Sequence, residues 1–333
     1  MNLVTGGTGH LGNVLVRELL AQGQQVRVLV LPGEDCRAIQ NLPIEQVEGD
    51  ITRPETLLPA LEGISNVYHM AALVSIISGQ ENLLNKINVL GTQNMLDAAK
   101  QAHIQRFIYT SSIHALARPP KGVTINESLP FDPDNPAGAY DRSKAEASIL
   151  VQQAVREGLD AVIVCPTGVV GPYDYRRSEM GEMILEWMSS RVSLLIEGFF
   201  DFVDVRDVAR GHILACENGK PGETYILGGE RIHVEKIRDI VKEISQAYSP
   251  VIKIPYRLAL FATNFTQLYY DLSKTRPRFT RYSLETLISN SMISSEKARK
   301  ELGYRARSLQ ESLHDTVNWW FENRGRIKAS LRI

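Results

Sequence analysis

Short apolar runs alternate along the first half of the chain with stretches in which apolar residues recur every three or four positions. The runs Asn2-Leu3-Val4, Val26–Val30, Ile44–Val47, Val67–Leu73, Phe107–Thr110 and Ala161–Cys165 predict strands. Between them, Val14–Leu20, with Val14, Leu15 and Leu19 on one side, predicts a helix, as do Glu81–Ala102 and Ser143–Glu157. Alternation of this kind predicts an α/β protein whose parallel sheet is doubly wound and covered on both faces. Farther on, Phe202–Val205 and Glu223–Leu227 read as two strands returning to that sheet. Ser178–Ser190 (Met180, Met183, Ile184, Trp187), Val234–Ile244 (Val234, Ile237, Val241, Ile244) and Tyr256–Leu272 read as helices of a smaller lobe. The last carries Leu258, Phe261, Phe265, Leu268 and Tyr269, a stripe read first as core and second as a lid over an apolar pocket. The expected division is 1–170 with 201–232 for the sheet domain, and 171–200 with 233–333 for the lobe.

In such sheets ligands bind at the carboxyl ends of the strands. Gly6 to Gly12, Asp50-Ile51, Ala71-Ala72, Ser111-Ser112 and Pro166-Thr167-Gly168-Val169 fall there. The first group is the most telling: Thr5-Gly6-Gly7-Thr8-Gly9-His10-Leu11-Gly12 joins the first strand to the first helix. Glycines permit the tight turn and let a backbone approach a pyrophosphate, which the helix N-terminus attracts. A plain glycine-rich turn is the alternative, disfavoured because strand, glycines and helix come in the required order.

Tyr140 and Lys144 add chemistry. Four residues apart on a helix, they share a face. An ammonium beside a phenol favours phenolate and lowers a pKa that is about 10 when unperturbed. Together with the glycine loop, the pair points to a nicotinamide-dependent oxidoreductase with a Rossmann-type domain.

Composition fits. Apolar residues make up 44% and charged residues 23% of the 333 positions, ordinary globular values. A net charge of −1 offers no basic footprint for nucleic acid. No apolar run approaches the roughly 20 residues of a membrane span, and Met1-Asn2-Leu3-Val4 passes straight into a strand without a signal peptide. Cys36, Cys165 and Cys216 are scattered and read as reduced thiols, neither disulfide nor metal ligands, which implies the cytoplasm. The expected partner is a small-molecule substrate, with no metal; a homodimer is left open.

The ordered motifs resemble the extended short-chain dehydrogenase/reductases over nearly the whole chain. They are Thr5 to Gly12, Gly49-Asp50-Ile51-Thr52, His69-Met70-Ala71-Ala72, Asn88-Val89-Leu90-Gly91-Thr92, Tyr109-Thr110-Ser111-Ser112, Tyr140 with Lys144, Pro166 to Pro172, Phe202 to Val208, and Glu301-Leu302-Gly303-Tyr304. Tyr109 to Ile113 resembles the 3β-hydroxysteroid dehydrogenases; Gly171-Pro172-Tyr173-Asp174 and Arg276-Pro277-Arg278-Phe279-Thr280 resemble them and the dihydroflavonol-reductase-like proteins together. The resemblance implies Tyr140 as proton donor, Lys144 on the nicotinamide ribose, Ser112 (with Ser111 as rival) on the substrate oxygen, and Asn88 orienting the site, helix capping being its other reading. It places Asp50 near the adenine. Sugar-nucleotide relatives carry an arginine before the Asp-Phe-Val strand to bind a diphosphate. Here Phe200 stands there beside Phe199. Two aromatics suit an apolar carbonyl compound, steroid-like or flavonoid-like, with His114 and Tyr173 as further pocket candidates.

Coenzyme choice is made where the second strand ends. Leu31 sits there and neither repels nor attracts a 2′-phosphate. Arg37 can pair with one, while Glu34 and Asp35 act against it, so the reading leans slightly to NADP over NAD. His69 reads as structural beside the coenzyme. Asp204, Arg206 and Asp207 read as helix caps and dipole partners. Lys274, Arg276, Arg278 and Arg281 read as a solvated basic loop, with a membrane-surface contact as the second reading. Two other functions remain open from sequence. One is a sugar-nucleotide epimerase or dehydratase that retains its coenzyme; the other is a non-catalytic dinucleotide sensor, which the Tyr–Lys pair disfavours.

Overall fold

The computed structural model describes residues 1–75, 79–189, 192–247, 250–265 and 281–328. Seven strands build the main sheet: β1 (Asn2–Thr5), β2 (Val26–Val30), β3 (Glu45–Glu48), β4 (Asn66–His69), β5 (Arg106–Thr110), β6 (Ala161–Pro166) and, after three strands elsewhere, β10 (Thr224–Leu227). Their order is β10-β6-β5-β4-β1-β2-β3, and every pairing is parallel. Strands β1 and β6 are buried at every position, as a sheet covered on both faces requires. The strand order reverses between β1 and β4. Such a switch point opens the crevice in which doubly wound sheets hold ligands.

One face is covered by α2 (Leu57–Leu61), α4 (Gly91–Gln101) and α5 (Ala139–Arg156), packed on Phe107, Tyr109 and Ile163. The other is covered by α1 (His10–Ala21), α7 (Val205–Asn218) and α11 (Glu296–Leu302), packed on Val28, Ile108 and Val164. The expected helix 81–102 is really α3 (Glu81–Leu84), a π-helical turn (Asn85–Leu90) and then α4. The expected strand Val67–Leu73 stops at His69, because the chain there turns to meet the glycine loop: Met70 and Ala71 donate backbone N–H bonds to Thr5 Oγ1.

The smaller lobe has its own core of Ile184, Trp187, Phe200, Ile237, Val317 and Trp320. It joins α6 (Glu179–Ser189), α8 (Val234–Ser245) and α12 (Leu309–Lys328) to a three-stranded sheet of β11 (Glu230–His233), β9 (Phe199–Asp204) and β7 (Gly168–Val170). A further pair, β8 (Ser193–Leu195) and β12 (Val251–Lys253), is parallel. This corrects one expectation: β10 does return to the main sheet, but the strand through Phe202 does not. β10 already fills the edge beside β6, and Phe200 and Phe202 bury themselves in the lobe core. Asp204 and Asp207 take the structural roles expected of them. Asp204 caps α7 and pairs with Arg206, while Asp207 pairs with Arg307.

The aromatic stripe departs from its first reading. Helix α9 (Tyr256–Ala262) faces inward with Ala259, Tyr256 and Leu260, against Ile196 and Leu284 of α10 (Arg281–Ile288). Leu258, Phe261 and Phe265 recur on the opposite side and are exposed. Leu268, Tyr269 and the segment Lys274 to Thr280 lie outside the described residues; Arg281 pairs with Glu285. No helix among the described residues is long and apolar enough to cross a membrane.

Buried histidines link the sheet to its helices. His69 Nδ1 lies 2.8 Å from Thr5 Oγ1, and its Nε2 lies 3.1 Å from Thr92 Oγ1. The Thr92 hydroxyl already donates to the Asn88 carbonyl, and Thr5 Oγ1 already accepts from two backbone N–H groups. His69 is therefore neutral, donating from Nε2 and accepting at Nδ1. Burial, with Lys144 adding repulsion, pulls its pKa down to about 3. Burial pulls His212, bonded to Thr110 and the Val208 carbonyl, down to about 4. Below about 6.5 the unfolded chain takes up protons that these folded sites refuse. Stability is thus full above that pH and falls as pH drops toward the folded values. Urea unfolding at pH 6.5 and pH 5, above most carboxylate titration, is expected to show a loss of up to about 1.4 kcal/mol per pH unit for each histidine. A flat profile would contradict the neutral assignment.

Candidate active site

The glycine loop is shaped for an anion. Gly6 has φ +69°, and a Cβ there would lie 2.8 Å from the Ala71 backbone nitrogen. A Cβ on Gly12 would lie 2.1 Å from the Gly6 carbonyl oxygen. Helix α1 starts at His10 with no side-chain cap and no acidic residue in its first turn, so its terminal N–H groups are free for a phosphate. Ala71 and Ala72 follow β4 on the other side of the switch point. These residues fit a dinucleotide. Of the other sequence candidates, Asp50 folds its carboxylate onto the Thr52 N–H, and the Ile51 carbonyl accepts from Asn94. Pro166 ends β6, and Val169 lies in β7 beside Val203. The Thr167 hydroxyl donates to Asp201, which turns it toward β9.

Tyr140 and Lys144 stand where β5 and α5 meet. Helix α5 begins four residues before its expected start, so Tyr140 lies in the first turn. Ser112, in the turn after β5, stands near the Tyr140 phenol and accepts from the His114 N–H. Ser111 points the other way, 2.7 Å from Ser148 Oγ inside the α5 packing. Lys144 is buried, donates to the Thr110 carbonyl and lies 4.4 Å from the centre of the Tyr109 ring. Burial pulls its pKa down to about 7. The electrostatics differ from the sequence expectation. Burial foremost, with the neighbouring Asp141 carboxylate behind it, pushes the Tyr140 phenol well above its usual value; the Ser112 hydroxyl acts against them and does not prevail. The phenol is held protonated, because both members of the pair lie in a medium that penalises charge.

Asn88 is a two-way clamp. Its Oδ1 accepts from Leu73 N at 2.7 Å, and its Nδ2 donates to Leu73 O and to Ser143 Oγ, both at 3.0 Å. It caps nothing, since the helical chain runs through it; instead it fixes α5 against the segment after β4.

Beyond Ser112 lies a cavity of about 280 Å³ whose walls include Ile113, His114, Leu116, Phe200, Ile288 and Ile293 on the apolar side, with Arg118, Lys121, Glu285 and Asn290 also in the lining. The His114 and Phe200 rings stack at 5.6 Å. Phe199, one position away on β9, points outward against His233 and Arg231, as strand alternation demands, and so leaves the pocket. Tyr173 packs on Arg17 and near Trp319. Asp141, fully buried, accepts from Tyr282 Oη at 2.6 Å and pairs with Arg118 at 3.1 Å, tying the start of α5 to α10.

Where the sequence reading placed the adenosine, Leu31 is half exposed and Arg37 is engaged by Asp35. Glu34 turns inward. Its carboxylate accepts from Thr8 Oγ1 at 2.6 Å and from Leu31 N at 3.0 Å. The sequence reading weighed Glu34 without assigning it a place; its position four residues past β2 was the available signal. Arg176, which also reaches this spot, carried no signal in the sequence.

Residues 2–228 match the family model described as the NAD dependent epimerase/dehydratase family. The chain belongs to that family. Within it, the chain is 37% identical over 330 residues to sterol demethylase protein B of Methylococcus capsulatus, covering 98% of this chain and 99% of the relative. It is 30% identical over 319 residues to the 4-hydroxy-2-methyl-3-oxo-4-farnesyl-3,4-dihydroquinoline-1-oxide ketoreductase of Stigmatella aurantiaca, covering 94% of each. The crystal structure of gox2253 superposes with a TM-score of 0.85 at 35% identity, covering 97% of this chain and 98% of that one. The family member described here is accordingly an extended short-chain dehydrogenase/reductase, an oxidoreductase that works with a nicotinamide dinucleotide.

Proposed function

We propose that the protein interconverts a carbonyl and a secondary alcohol on a rigid, apolar, sterol-like substrate. The observation that carries this reading is the stacked His114–Phe200 wall and its apolar cavity, which begin one residue past Ser112. An apolar ring system gains by leaving water for such a wall, and one of the two lining cations, Arg118, is already paired with Asp141 and so is committed away from a diphosphate. The names of the sterol and farnesylated-quinoline relatives support the same class.

The coenzyme supplies or accepts the hydride when bound. The protein's own groups do the rest. Ser112 holds the substrate oxygen beside the Tyr140 phenol, fixing the direction of approach. Tyr140, kept protonated by burial, donates its proton as negative charge develops on that oxygen, which suits reduction. Lys144 takes the nicotinamide ribose hydroxyls. Asn88 and Asp141 position α5. The seven-stranded unit carries the coenzyme, and the smaller lobe shapes the substrate cavity. For the coenzyme itself we assign NAD rather than the NADP that Arg37 suggested, because Glu34 faces the glycine loop while Arg37 is held by Asp35. Three free thiols suit a reducing compartment, and we assign the protein to the cytoplasm.

Oxidation of the reduced coenzyme, followed by absorbance, tests the substrate class against a panel of 3-ketosteroids, flavanonols and isoprenoid ketones. Turnover with at least one apolar ketone is expected, together with no calorimetric binding of UDP- or GDP-sugars. Tight sugar-nucleotide binding without net use of added coenzyme would replace this reading with that of an epimerase or dehydratase.

A further inference from the structure

The chain segment that follows β7 does not run straight into α6. It lies back along the first turns of α1. His10 Nε2 is 3.0 Å from the Pro172 carbonyl, and Asn13 Nδ2 donates to the Tyr173 carbonyl at 3.1 Å. Arg17 covers the Tyr173 ring at 4.7 Å. Tyr173 and Arg177 both have positive φ, +69° and +54°, a conformation that costs energy in residues with side chains and that clusters at functional sites. Asp174, buried between them, holds the turn through the Ser178 N–H and hydroxyl. The result is that Arg176 is delivered to the far side of the glycine loop. Its guanidinium donates to the Thr8 carbonyl at 3.2 Å, to Thr8 Oγ1 at 2.8 Å and to Glu34 Oε1 at 2.6 Å. Glu34 is the acidic side chain at the end of β2, where an adenosine ribose is read.

An arginine with a planar fork of donors is suited to a phosphate as well as to a carboxylate. Here both charges that could meet the ribose 2′ position come from one ion pair whose members lie 142 residues apart in the chain. We propose that Arg176 is a coenzyme-selecting residue: it holds the Glu34 carboxylate at the 2′-hydroxyl of NAD, and it becomes the partner of a 2′-phosphate once the charge on Glu34 is removed. The proposal rests on the assignment of a nicotinamide dinucleotide to the glycine loop, and it does not depend on the substrate.

Equilibrium binding of NADH and NADPH, read by their fluorescence without substrate, tests it in three variants. Glu34→Gln is expected to tighten NADPH about tenfold or more and to weaken NADH several-fold. Glu34→Gln with Arg176→Ala is expected to lose most of that NADPH gain. Arg176→Ala alone is expected to weaken NADH several-fold, because Glu34 is then held only by Thr8 and Leu31. Arg176 is half exposed, so its removal leaves the fold in place, which a melting curve checks. An NADPH gain of the same size with and without Arg176 overturns the proposal. So does a preference of the unaltered protein for NADPH above tenfold. Failure of the unaltered protein to bind either coenzyme would instead remove the dinucleotide assignment on which it rests.

Discussion

Tyr140→Phe is expected to cut turnover by about 10²–10⁴ while changing coenzyme affinity little. The variant keeps the ring in the first turn of α5 and loses only the hydroxyl near Ser112. Ser111 is turned into the α5 packing, and His114 is stacked on Phe200, its pKa lowered by burial. The measurement is single-turnover oxidation of bound reduced coenzyme, beside a fluorescence titration of its affinity. Turnover near that of the unaltered protein, in a folded variant, would take Tyr140 out of the chemistry. Lys144→Ala separates the neighbouring role: it is expected to lower both affinity and turnover, since its ammonium is assigned to the coenzyme ribose.

Gly12→Ala is expected to weaken coenzyme binding by a factor of about 100 or more, about 2.7 kcal/mol. The added carbon would sit 2.1 Å from the Gly6 carbonyl oxygen. A backbone oxygen has no rotamer by which to retreat, so the helix must move away from the loop. The N–H groups of α1 then no longer converge on the phosphate position. Gly23→Ala is the control. Gly23 has a φ that disfavours a side chain, which Gly12 lacks, but nothing lies within 4 Å of its would-be Cβ. That variant is expected to lose about 1 kcal/mol of stability and none of its coenzyme affinity. Equal affinities in the two variants would show that close approach at Gly12 does not matter.

Local patterns revealed much of this molecule. The strands of the main sheet and the helices between them followed from apolar periodicity, because each lies in a layer with one kind of neighbour. The glycine loop and the Tyr140–Lys144 pair were legible because their chemistry depends on spacing within a few residues. What stayed hidden depends on contacts between distant segments. Phe199 and Phe200 read alike, and only pairing of β9 with β7 and β11 decides which one faces the cavity. The inward stripe of α9 competed with a larger apolar stripe on its other side, and packing on Leu284 chose the smaller. The raised phenol pKa was missed because the sequence displays the nearby lysine but not the burial that outweighs it. Arg37 was near in sequence and is tied up by Asp35, while Arg176 was remote in sequence and meets Glu34.

The π-helical turn at Asn85–Leu90 has a consequence for comparing or rebuilding such chains. An α-helix advances about 100° per residue, so the one surplus residue of a π-turn shifts the phase of everything that follows it. Asn88, which faces Leu73 and Ser143, and Thr92, which faces His69, are both aimed by that phase. The length of the segment is thus as much a part of the site as its residues. A graft that matches Asn88 by identity but shortens the turn by one position would keep the letter and lose its direction.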